Sequence, residues 1–115
     1  GRGSPGNPEV KAVAQKWRDE LTDQLCKSLV ALETEQEACE FLEDVATVSE
    51  IRALAQRLEV ARLLDDGYTY PQILQQAGAS TATISRVRKS LEYGEDGYKL
   101  VLGRMKAGTF DRTGV

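Results

Sequence analysis

The sequence predicts an all-α fold, and three observations carry that expectation. Apolar residues recur every three or four positions over most of the chain. Helix-start signatures stand at Thr34/Glu37, Thr47/Glu50 and Thr69/Gln72, each a Thr followed three residues later by Glu or Gln. No stretch of useful length alternates apolar and polar residues as a half-buried strand would.

Taken in order, Asn7 and Pro8 supply an N-cap and a first-turn Pro. From there Val10, Val13, Trp17, Leu21, Leu25, Leu29 and Leu32 define a long first helix with one apolar stripe. Ala38, Phe41, Leu42 and Val45 mark a second helix with an acidic exposed side. Ile51, Leu54, Leu58, Ala61 and Leu64 continue into a third, where Ala53, Val60 and Leu63 add a second stripe; a helix apolar on two sides belongs in the centre of a bundle. Asp66-Gly67 stops it. A helix of about two turns follows, with Pro71 in its first turn and Ile73, Leu74 and Ala77 on its apolar side, ending at Gly78. The segment Thr81 to Glu92 places Ile84, Val87 and Leu91 on one face. A turn cluster from Tyr93 to Gly97 precedes a short last helix carrying Tyr98, Leu100, Val101, Leu102 and Met105.

The length of 115 residues suits one domain, expected over residues 7–105. Residues 1–6 read as a cloning remnant or disordered leader and residues 106–115 as a loose tail. Hydrophobic residues are 41% and aromatics 6%, so Leu, Val, Ile and Ala must supply most of a modest core, and dimerisation is an expected supplement. Trp17, Phe41 and the Leu stripe of the first helix are read as core or dimer interface, Tyr93 and Tyr98 as packing the last turn.

Composition excludes several functions. The chain has no His, which removes the usual general base near neutral pH and the commonest metal ligand. Cys26 and Cys39 lack the second Cys or His pair of a zinc site and read as packed, reduced thiols, as expected of a cytoplasmic protein. No nucleophile, base and orienting group form a catalytic set, so an enzyme is not expected, and no metal or cofactor is implied. No apolar run approaches the roughly 18 residues of a membrane span.

Function is carried by Thr69 to Val87. A short helix, a glycine-containing turn and a second amphipathic helix make a helix-turn-helix, expected over about residues 69–92, whose second helix fits the major groove of duplex DNA. Small residues at the start of that helix allow close approach to base edges. Ser80, Thr81, Ala82, Thr83 and Ser85 are the candidates for base or water-mediated contacts, and Arg86, Arg88 and Lys89 for phosphate. From Gly67 to Leu91 the chain carries +3 and no acid, while the remainder sums to −6, so the overall charge of −3 conceals a basic module. The same three cations also suit a plainly solvated helix face, and a helix pair with Gly in its turn occurs in proteins that never touch DNA. From the residues alone, a helical protein-interaction module is the competing class.

From about Phe41 to Tyr98 the sequence resembles the tryptophan-repressor superfamily, in particular its small YerC/YecD-type branch. The resemblance rests on Ala53-Leu54-Ala55-Gln56-Arg57-Leu58, on Gly78-Ala79-Ser80-Thr81-Ala82-Thr83-Ile84-Ser85-Arg86, and on Ser90-Leu91 with Tyr93-Gly94-Glu95-Asp96-Gly97-Tyr98. It implies a multi-helix, intertwined homodimer that regulates transcription as a repressor, with two helix-turn-helix units reaching half-sites roughly 34 Å apart on a near-palindromic operator. It further implies that Thr47, Arg57, Arg86 and Ser90 stand where the tryptophan repressor contacts its corepressor. Val87 departs from that pattern by replacing a Gly, and its branched side chain takes room an indole needs. The resemblance therefore points to a small-molecule effector other than tryptophan, or to none.

Overall fold

A computed structural model describes residues 16–108. Over these residues the chain forms six α-helices and no strand: α1 Glu20–Ala31, α2 Glu35–Val45, α3 Val48–Asp65, α4 Tyr70–Ala77, α5 Thr81–Tyr93 and α6 Gly97–Lys106. They fall into two units, one ending at Val45 with α1 and α2, the other starting at Ala46 with α3 to α6. The expected helix start at Asn7 and the end of the expected tail lie outside the described residues.

In the first unit, α1 does not run through Trp17 as the apolar period suggested; Lys16 and Trp17 form a turn. The cause is a capping box that overrides the periodicity. Asp19 Oδ1 accepts from the Thr22 amide at 2.9 Å while Thr22 Oγ1 accepts from the Asp19 amide at 2.8 Å, which starts the helix at Glu20. At α2, Thr34 Oγ1 accepts from the Glu37 amide, as expected, but the Glu37 carboxylate reaches back to the amide of Glu33. Neither helix buries a residue in the single chain. Leu21, Leu25, Leu29 and Trp17 are exposed, and so are Cys26 and Cys39, which corrects the expectation of packed thiols.

In the second unit, α3 packs against α4, α5 and α6. Thr47 and Glu50 form the expected reciprocal cap at its start. Central burial holds only for its C-terminal half, where Val60, Ala61 and Leu63 are fully buried; Val48 and Leu54 near its start are exposed. Ile73 of α4, Ala79 of the turn, Ile84, Val87 and Leu91 of α5 and Leu102 of α6 close around that half. Each large aliphatic side chain so buried contributes about 1.5–3 kcal/mol. The last helix extends through Lys106, which the sequence reading placed in the tail. Its ammonium group meets Asp65 at 3.1 Å and Asp66 at 3.0 Å, fastening the end of α6 to the end of α3.

Candidate nucleic-acid interface

The helix-turn-helix is α4, the turn and α5. Thr69 caps α4 through the Gln72 amide, with the Gln72 carboxamide returning to the Thr69 amide at 2.8 Å, and Pro71 sits in the first turn. Gly78 ends α4 with φ 66°, a left-handed conformation that costs any residue with a Cβ about 1–2 kcal/mol. Two residues later, Ser80 Oγ accepts from the Thr83 amide at 3.1 Å and opens α5.

The buried stripe of α5 is Ile84, Val87 and Leu91, which leaves Ala82, Ser85, Arg86, Lys89 and Tyr93 together on the opposite face at spacings of three and four. These five are exposed, Tyr93 to 80%, so this ring ends the outward stripe instead of packing on the last turn as expected. Tyr98 is half-buried against the core. Among the described residues, no carboxylate pairs with Arg86 or Lys89.

Three of the residues expected to face a nucleic acid are otherwise engaged. Ser80 and Thr83 share the cap, their hydroxyl oxygens 3.1 Å apart. Arg88 turns along the helix: Nε donates to Glu92 Oε2 at 3.0 Å, and the guanidinium carbon lies 5.8 Å from the centre of the Tyr70 ring. Tyr70 first, and Glu92 second, favour its charged form. Thr81 is exposed at the first turn of α5, beside the outward stripe.

Of the four residues that the resemblance linked to an effector, Arg57, Arg86 and Ser90 line a hollow of about 180 Å³ together with Val87 and Tyr98. Thr47 is not among its lining residues; its hydroxyl accepts from the Glu50 amide at the start of α3. Directly after the hollow, a Cβ at Gly94 would run into the backbone carbonyl of Ser90, so only glycine lets the chain leave α5 at this point.

One residue that positions this unit was not singled out from sequence. The Gln56 side-chain amide donates to the carbonyl of Ala77, the last residue of α4, at 3.2 Å. The signal was present: Gln56 precedes Val60 and Leu63 by four and seven positions, so it is a polar residue in a buried stripe, where a hydrogen-bond partner is required.

A helix-turn-helix held by a third helix, with two cations uncovered on the outward stripe of its second helix, defines the class as all-α helix-turn-helix proteins. The chain belongs to the Trp repressor protein family, whose model matches residues 20–106. It is 50% identical over 91 residues to YerC of Bacillus subtilis (strain 168), an uncharacterized protein, covering 79% of this chain and 88% of that one. Among solved structures it resembles a Staphylococcus aureus protein described provisionally as a Trp repressor, with a TM-score of 0.77 at 47% identity, covering 80% of this chain and 92% of the other. A TrpR-like protein from Eubacterium eligens ATCC 27750 gives a TM-score of 0.74 at 43% identity, over 85% and 99% of the two chains. Among the described residues no helix is long and apolar enough to cross a membrane, and no group of His, Cys, Asp or Glu is arranged to hold a metal ion.

Proposed function

We propose that this protein is a sequence-specific transcriptional repressor that binds duplex DNA as a homodimer and acts in the cytoplasm, not an enzyme. The observation that carries the reading is the outward stripe of α5 in a family of repressor type: small residues first, then Arg86 and Lys89 without acidic partners. In this reading Thr81, Ala82 and Ser85 approach base edges. Arg86 and Lys89 meet phosphates, while Ser80 and Thr83 keep the helix start in the shape that groove entry needs. An acidic remainder supports selective contact through this one module over general coating of nucleic acid.

Homodimerisation is supported by the apolar side chains that one protomer leaves exposed, Leu21, Leu25 and Leu29 in the first unit and Leu54, Leu100 and Val101 in the second. A two-fold assembly of two recognition helices selects a near-palindrome. The hollow at Arg57, Arg86 and Ser90 supports a small anionic effector, since two guanidinium groups suit a carboxylate or phosphate. Its 180 Å³ lies below the roughly 300–1,000 Å³ of drug-sized ligand sites, and Val87 occupies part of the wall, which argues against tryptophan.

The test is enrichment of random duplex DNA by the purified protein at moderate salt, followed by binding of the enriched pool to Arg86→Ala. A short enriched palindrome, with binding lost in the variant, is expected. Absence of enrichment with and without a panel of amino acids and small acids would overturn the reading.

A further inference from the structure

The three cations of the basic module have different surroundings. Arg86 and Lys89 project from the outward stripe, whereas Arg88 leans to the side of α5 that borders α4. There its guanidinium lies over Tyr70, the first residue of α4, and is ion-paired to Glu92 one turn further along α5. Tyr70 is itself half-buried and packs against the core shared by α3, α4 and α5. The same three side chains, with Tyr68 and Leu91, wall a groove of about 440 Å³ between the α3–α4 connection and α5. Charge, ring and carboxylate thus join the N-terminal end of α4 to the C-terminal half of α5. Gln56 holds the opposite end of α4, at Ala77.

We infer that Arg88 is a positioning residue, a clasp through Tyr70 and Glu92 that sets how α5 is carried on α4, and does not contact DNA phosphate. This deepens the DNA-binding reading and rests on it for its functional consequence. A guanidinium that neutralised a phosphate would add about 0.9 to the slope of log affinity against log salt, and removing it would subtract that amount. A clasp behaves differently. Its loss lowers affinity by letting the recognition helix sample unproductive orientations, and leaves the number of neutralised phosphates unchanged. An exposed cation–π contact corresponds to about a two- to five-fold change in an equilibrium constant.

The experiment uses the full chain and the enriched duplex pool, with Arg88→Ala, Tyr70→Leu, Tyr70→Phe and Arg86→Ala compared across a salt series. Arg88→Ala and Tyr70→Leu are expected to weaken binding by a similar factor with the parent's salt slope, while Tyr70→Phe, which keeps the ring, stays near the parent and Arg86→Ala lowers the slope. A second readout needs no DNA: native-state amide exchange in α4 should accelerate about two- to five-fold in Arg88→Ala and Tyr70→Leu, and not in Arg86→Ala. A slope reduced by about 0.9 in Arg88→Ala would make Arg88 a phosphate contact and overturn the inference. Unchanged exchange in α4 would overturn it as well. A parent chain that binds no duplex would refute the DNA-binding reading instead, and the exchange experiment alone would then decide the clasp.

Discussion

The side-chain amide of Gln56, in α3, donates to the carbonyl of Ala77 at the end of α4, 3.2 Å away. It satisfies one of the carbonyls that every helix leaves without an internal partner, and it does so where α4 turns into the recognition helix. Gln56→Leu keeps the size and removes the donor. The expected loss is about 1 kcal/mol of stability, seen as a melting temperature lower by several degrees, with DNA affinity falling in step. A melting curve identical to the parent's would show that the bond carries no energy.

Gly78 stands at φ 66°, and nothing lies within 4 Å of where a Cβ would sit, so substitution there costs backbone strain alone. Gly78→Ala is expected to destabilise by about 1 kcal/mol, whereas Gly78→Asn, whose side chain tolerates the left-handed region, should lose less. Urea melts of the two variants, compared at equal slope, check the order.

Lys89 is exposed on the outward stripe and has no carboxylate partner among the described residues. Lys89→Ala should leave the melting temperature within about a degree of the parent, because exposed unpaired charges contribute little to folding. It should reduce the salt slope of DNA binding by about 0.9. Titrations of one duplex at four or five salt concentrations separate this outcome from a loss of fold.

Val87 is almost completely buried and also lines the hollow beside Arg57 and Arg86. Val87→Ala removes two methyl groups from both. It should destabilise the protein by about 2 kcal/mol while enlarging the hollow, so that indole-bearing carboxylates bind the variant more tightly than the parent. Calorimetric titration with tryptophan reads the second effect, and equal affinity for both proteins would place the steric block elsewhere.

The carboxylate of Asp19 is held below the ordinary range, first by the amide of Thr22 and then by its hydroxyl. A group with a depressed folded-state value adds stability that is present above its unfolded value near 3.9 and is lost as pH falls through the folded one. Protection of the amides in the first turn of α1, taken relative to the intrinsic exchange rate at each pH, should therefore fall on acidification below about pH 4. Asp19→Asn, which retains a capping oxygen without the titration, should remove most of that pH dependence.

The helix starts at Val48 and Tyr70 were legible because each cap is local: a hydroxyl and an amide three residues apart meet whatever surrounds them. The same locality was missed at Asp19, where a continuous apolar period through Trp17 suggested a longer helix. The buried stripe of α5 was likewise readable from spacing, since Ile84, Val87 and Leu91 leave it only one face to bury. The neighbours of the polar groups were not. Spacing places Arg86, Arg88 and Lys89 on one short segment, and nothing in their order tells that Arg88 leans over Tyr70, eighteen positions earlier.

By itself, then, the sequence determined the six-helix alphabet, the helix-turn-helix with glycine in its turn, and the basic segment that follows it, because propensity, capping and periodicity act within a few residues. Only the tertiary structure decided which end of α3 is buried, that Gln56 serves the end of α4, that Arg57, Arg86 and Ser90 share a hollow without Thr47, and that Arg88 is engaged with Glu92 and Tyr70. Those outcomes depend on side chains brought together from separate helices, and their partners are set by packing, which no local pattern encodes.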